Sequence, residues 1–271
     1  MAVIALLSAK GAPGCTTTAL GLALRWPRSS LLVEADLAGS SIMAGYLRGE
    51  LHPTMGLVEV ATAALRGKLD VDMLLEQSLR LERSTAGSAT TMVLPGIANI
   101  VQATSVRSLW GELGSVLNTL SSGGIDVIVD VGRVGIGAED RSPLLAQADL
   151  LVTLAGSSLP QVHATQQMSV QLQKQYTGAD SQLSPLGLVV VGPDRPYSES
   201  EIATACGLRL LGTLPWDSES AGVYSDGAPA GRKAHTRPLN RSLTALAEGL
   251  HLAAQQRRTA LAGGAEAGGV R

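Results

Sequence analysis

The sequence predicts a doubly wound α/β fold, with a mostly parallel sheet and helices on both faces. Three observations predict it. Short runs rich in Val, Ile and Leu alternate with longer segments of helical period. Those runs are continuously apolar, as strands covered on both faces must be. Hydrophobic residues make up 45% of the 271 positions, enough for a substantial buried core. Phe is absent and aromatics are only 3%, so that core must be built from Leu, Val, Ile and Ala.

"AVIALLS" near the start reads as a strand, and Thr16 to Arg25 as a helix. "SLLVEAD" is a second strand. Gly56 to Arg83 reads as one or two amphipathic helices, with Leu57, Val60, Ala61, Ala64 and Leu65 on one face. "TTMVLPG" is a strand stopped by Pro95 and Gly96. Ser105 to Leu120 is helical, with Leu109, Leu113, Val116, Leu117 and Leu120 at three- and four-residue spacing. "IDVIVDVG" is the most apolar strand, bounded by Gly124 and Gly132. A short helix and the strand "ADLLVTLAG" follow, then a helix from Leu159 to Tyr176. "PLGLVVVG" and "LRLLGTLP" are two further strands, with a helix around Ser198 to Cys206 between them. Pro238 to Arg257 is a closing helix. No Pro/Gly-rich linker splits the chain, so residues 1–258 are expected to form a single domain. Residues 259–271, "TALAGGAEAGGVR", are Gly/Ala-rich with little to bury, and a disordered tail is expected there.

Composition excludes several classes. A net charge of -2 provides no global field toward DNA or a membrane surface. The scarcity of aromatics disfavours base-stacking nucleic-acid platforms, so no nucleic acid is expected as a partner. Cys15 and Cys206 form no metal-spaced pair, and two cysteines fit a reducing cytoplasm. The apolar run Ala2 to Leu7 lacks a basic flank and is too short for a signal peptide. No apolar stretch approaches the ~20 residues that span a bilayer.

"SAKGAPGCTTTALGLAL", from Ser8 to Leu24, carries the chemistry. A strand ends, a loop with Gly11, Ala12, Pro13 and Gly14 follows, and a helix begins near Thr16. Glycines let backbone N–H groups turn toward an anion, and the helix N-terminus adds partial positive charge. Thr16 is placed to offer its hydroxyl to Mg²⁺ and Thr17 to a phosphate oxygen. A plain strand-to-helix turn with a Thr cap accounts for the same residues. The usual loop carries Lys where this chain has Cys15.

"KGAPGCTT" resembles the deviant Walker A loop of the ParA/MinD family, K-G-G-x-G-K-T-T. Lys10 matches the family's signature lysine, Gly11 and Gly14 its glycines, and Thr16 and Thr17 its hydroxyls. Ala12 and Cys15 depart from it. The resemblance runs on through "LLVEADLAGSSI", "GLVEVATAALRGKLD", "MVLPG", "IDVIVDVG", "ADLLVTLAGSSLPQVHAT" and "LGTLPWDSESAGVYSDGAP". The MinD/CpaE/TadZ branch fits better than plasmid ParA.

That resemblance implies a P-loop NTPase fold and a set of roles. Asp130 would end the Walker B strand and, with Thr16, serve the metal. Glu34 and Asp36 would stand at the acids that hold the metal's waters and the attacking water, and Lys10 would reach across a sandwich dimer. Pro215 and Asp217 could wall the base, although the adenine-reading Asn is replaced by Gly192 and Pro193. ATP and Mg²⁺ are the implied cofactors, with weak binding expected because Cys15 brings no charge to the phosphates. Cys15 itself is read as a small buried filler, with oxidation as the alternative. Arg133 either replaces the missing charge or salt-bridges Glu139 or Asp140, and the salt bridge is preferred. The implied function is a cytoplasmic scaffold, a pseudo-ATPase or weak ATP binder. It would act as a homodimer, with a protein client or regulator, to position a division, partitioning or pilus/secretion assembly. The alternative is an active ATPase in which Lys10, Arg133 or a partner supplies the charge. Recruitment to the inner face of the membrane has little support. The stripe Leu246, Leu250, Ala253 and Ala254 beside Arg257 and Arg258 is expected to pack on the core.

Overall fold

The computed structural model describes residues 2–10, 14–49, 55–81, 89–135, 140–177, 184–193 and 196–268, with side chains through 262. Eight strands form one sheet: β1 (Val3–Ser8), β2 (Ser30–Glu34), β3 (Leu79–Leu81), β4 (Thr91–Leu94), β5 (Asp126–Arg133), β6 (Leu150–Gly156), β7 (Leu186–Val191) and β8 (Arg209–Leu214). Their order is β3-β4-β2-β5-β1-β6-β7-β8. Every neighbouring pair is parallel except β3–β4. Strand β3 lies inside the stretch read as helical, and three edge residues are too few to show a period of two.

The continuously apolar strands feed two cores. On β1, Val3, Ala5 and Leu7 point to one face and Ala2, Ile4 and Leu6 to the other. The first face is covered by α3 (Leu57–Leu65), α4 (Val71–Glu76), α5 (Trp110–Ser122), α6 (Ser142–Leu145), α7 (Leu159–Tyr176) and α8 (Glu199–Cys206). The second is covered by α1 (Cys15–Arg25), α2 (Ser41–Ala44), α9 (Ser218–Ser225) and α10 (Pro238–Gly268). Gly21 of α1 lets Leu243 of α10 seat directly on the helix, because a Cβ there would stand 2.6 Å from the Leu243 Cδ1.

Helix α10 corrects the expected tail: it continues past Thr259 to Gly268. The residues after Thr259 include Ala and Leu, good helix formers, and no Pro. Extending an existing helix avoids the cost of nucleation. Its stripe of Leu246, Ala247, Leu250 and Ala254 is buried in the core. No described helix is long and apolar enough to cross a membrane.

The strand ends opposite the loops of interest are tied down by two acids. Asp126 accepts from the Ala2 N–H at 2.7 Å and the Trp26 indole at 2.9 Å. Asp149 accepts from the Val3 N–H at 2.7 Å and from Arg258 of α10 at 2.6 Å. This leaves the carboxyl ends of β1, β2 and β5 as the open edge of a doubly wound sheet, where such folds bind ligands.

Candidate functional site

At that edge Gly14 takes φ 80° and ψ 41° immediately before α1. This left-handed turn favours Gly and aims the first helical N–H groups outward. A cleft of about 610 Å³ opens there. Gly14, Cys15, Thr16, Thr17 and Asp36 line one part, and Gly132, Arg133, Tyr224 and Ser225 line another.

Asp130 lies on the α1 face of β5 and is 1% exposed. Its Oδ1 accepts from the Gly132 N–H at 3.0 Å. Its Oδ2 has no hydrogen bond of normal geometry, although the Thr16 hydroxyl and the Cys15 thiol lie against the carboxyl. Burial pushes this carboxyl up to about 6; Thr16 and Cys15 pull it back down, and Asp36 raises it. A buried acid with one oxygen left over beside a Thr hydroxyl fits a hydrated Mg²⁺. That ion takes few protein ligands and completes its shell with water and phosphate oxygens. Consistent with this, no three or more His, Cys, Asp or Glu among the described residues gather into an all-protein metal site.

Cys15 is the first residue of α1 and is 7% exposed. Burial raises its thiol well above the ordinary range, and the neighbouring Asp130 charge raises it further. A buried side chain in that place is what the small-filler reading expects. Asp36 presses on Gly132, where a Cβ would collide with its carboxylate; its Oδ1 accepts from the Ala38 N–H at 2.9 Å.

Two charged residues near the cleft are held in different ways. Glu34 does not line the cleft. It turns inward from the end of β2, where the Ser40 hydroxyl donates to Oε2 at 2.5 Å and the Gly96 N–H at 3.3 Å. Its Oε1 accepts from the Ser41 and Ile42 N–H groups at 3.1 and 2.9 Å. Through these four contacts Glu34 latches α2 and the exit of β4. Its carboxyl is pushed up to about 7, chiefly by burial and against those hydrogen bonds. Glu34→Gln would set an amide NH₂ against these donors. We expect the Ser41, Ile42 and Gly96 amides to exchange with deuterium about ten- to a hundredfold faster. That follows from the ~1–3 kcal/mol cost of an unsatisfied buried donor. Unchanged protection would rule the latch out.

Arg133 ends β5. Asp140 pairs with Arg107 at 2.9 Å, and Arg133 has no ion pair among the described residues; Glu139 lies outside them. Arg133 instead lines the cleft. Pairing between β1 and β5 slips by one residue between Leu6 and Leu7, so that Asp130 faces Leu6 but Gly132 faces Leu7. Gly132 takes φ 66°. Such bulges re-aim the side chains that follow. Arg141, only 3% exposed, donates to the carbonyls of Ala35 at 3.0 Å, Arg133 at 3.1 Å and Val131. It braces the ends of β2 and β5 together. No sequence signal marked Arg141, Tyr224 or Ser225, whereas Gly132 directly after the strand was visible.

The remaining predicted residues are more scattered. Lys10 is exposed at the end of β1 and is not part of the cleft lining. Gly11, Ala12 and Pro13 lie outside the described residues. Asp217 caps α9, accepting from the Ser220 N–H at 3.0 Å and the Ser220 hydroxyl at 2.7 Å, and pairs with Arg237 at 3.4 Å. Its oxygens serve that cap and ion pair. Pro215 precedes Trp216, which is 76% exposed.

A mostly parallel sheet whose first strand enters a helix through a left-handed glycine, with an acid near the end of the next strand over, is an arrangement that the P-loop NTPase fold shares. The ParA/MinD form of that fold matches this chain. It superposes on a ParA family ATPase from Chlorobium tepidum TLS with a TM-score of 0.67, 19% identity and coverage of 91% of this chain and 98% of that one. The cell division ATPase MinD of Pyrococcus furiosus gives 0.66, 17%, 92% and 98%. The septum site-determining protein MinD of Pyrococcus horikoshii OT3, solved with Mg-ADP, gives 0.66, 16%, 92% and 95%. No family model matches the sequence, and no curated protein matches it.

Proposed function

We propose that this chain is a nucleotide-binding positioning scaffold whose hydrolysis is weak or absent. One observation carries the reading: a buried Cys15 side chain, and no cation, sits beside Gly14, Thr16 and Thr17 in the lining of the cleft. Gly14, Thr16 and Thr17 would meet phosphate oxygens, and Asp130 with Thr16 would hold hydrated Mg²⁺. The metal would supply charge neutralisation, which the loop itself lacks. Without a cation at position 15, the charge growing on a departing phosphoryl group goes unmet. The fold is shared with a cell division ATPase and a septum site-determining protein, which supports a role in placing a larger assembly. Such a role needs a homodimer or a protein client, because a scaffold requires more than one point of attachment.

A second reading is favoured by Arg133, a cation that lines the cleft without a described ion pair. It could take over the missing charge and sustain turnover. Calorimetry with Mg-ATP and a phosphate-release assay separate the two. Weak binding with phosphate release at background is expected. Clear turnover lost in both Asp130→Ala and Arg133→Ala would replace the first reading with the second.

A further inference from the structure

A second cavity, of about 470 Å³, lies on the far side of Tyr224 from the cleft. Its walls are the end of α1, residues 46–48, α9 and the start of α10. Its size is that of a small-molecule site. Among the described residues, the charged side chains in its lining are Arg25 and Arg48, with His235 beside them, and no Asp or Glu lines it. Two of the four tyrosines of the chain, Tyr46 and Tyr224, also face it.

The lining is built, not incidental. Tyr224 is 5% exposed and donates its hydroxyl to Oδ1 of the buried Asn240 at 2.6 Å. The Arg25 guanidinium lies over the Tyr224 ring, 5.3 Å from its centre, a geometry that holds the charge in place. Arg48 has φ 50°, the one positive φ on a non-glycine residue among those described. Its guanidinium donates to the Gly227 carbonyl. A left-handed Arg costs energy that Gly would not, and such strain persists where a side chain is required in one place.

We propose that this cavity binds an organic phosphate of nucleoside-monophosphate size, with Arg25 and Arg48 taking the phosphate. Arg suits phosphate because its planar fork can donate two bonds at once. The apolar walls, Leu24, Leu47 and Val223, and the tyrosines would take the rest of the molecule.

The probes are AMP without divalent cation and inorganic phosphate, followed by calorimetry. AMP should bind at least about tenfold more tightly than phosphate, since only AMP fills the apolar part. Arg25→Gln and Arg48→Gly should each weaken AMP about ten- to a hundredfold, the value of a charged hydrogen bond. Arg48→Gly should melt no lower than the parent, because Gly relieves the backbone. Thr17→Glu, which puts a carboxylate into the lining of the cleft, should leave AMP binding unchanged. No AMP binding at millimolar concentration would overturn the proposal. So would binding that survives both Arg variants, or binding lost in Thr17→Glu, which would place AMP in the cleft.

Discussion

Cys15→Lys should bind Mg-ATP about ten- to a hundredfold more tightly than the parent, the value of one charged hydrogen bond to phosphate. The described part of the cradle is in place. Gly14 already turns the first N–H groups of α1 outward, and Thr16 and Thr17 already line the cleft. A lysine amine entering there would meet Asp130 and Asp36, the acids that now raise the Cys15 thiol. It would also give Asp130 the positive neighbour it lacks, lowering that carboxyl and keeping it charged. Hydrolysis need not follow, because Glu34 is committed to the α2 latch. Titration calorimetry of parent and variant is the measurement. Equal affinities would mean that the loop does not cradle phosphate, and the reading of the cleft would fail with it.

Asp130→Asn should make the ligand-free protein more stable near pH 8, by up to about 3 kcal/mol. The folded carboxyl sits at about 6 against an ordinary 3.8, some two pKa steps at ~1.4 kcal/mol each. The sign follows from proton binding. The folded state holds this proton more tightly, so protonation favours the fold. That contribution is complete below about 3.8 and is lost as pH rises through about 6. Glu34 acts in the same direction between its ordinary 4.5 and about 7. Stability of the parent should therefore fall from pH 5 to pH 8, and Asp130→Asn should flatten part of that fall. In a protein of this size the gain corresponds to a melting temperature ~5–10 °C higher at pH 8. Mg²⁺ should stabilise the parent and not the variant, since an ion would satisfy the leftover Oδ2. Denaturant titrations at both pH values decide it. A parent that gains stability toward pH 8, or a variant that melts lower, would show that Asp130 is already satisfied.

Much of this was legible in the chain. The strand β1, the helix α1, the apolar β5 ending in Asp130, and α7 from Leu159 to Tyr176 all lie where periodicity puts them. The place of Cys15 at the start of α1 was visible as well, because a loop between a strand and a helix has few conformations open to it. The β3 edge strand and α9 left no periodic pattern strong enough to read.

What the sequence by itself determined is the fold class and the local frame of the cleft: apolar period, glycine at the left-handed turn, hydroxyls at the helix start, acid at the strand end. These depend on neighbours a few residues apart. Only the tertiary structure decided where the charges point. Glu34 and Asp36 share a strand parity, yet one turns inward because Gly96, 62 residues away, offers it an N–H. Arg133 reaches the cleft because β1 and β5 slip register by one residue and Arg107 has already taken Asp140. Tyr224 becomes the wall between two cavities because α9 crosses back toward α2. A side chain's direction is set by whichever partner lowers its burial cost, and in a parallel sheet those partners come from distant crossovers.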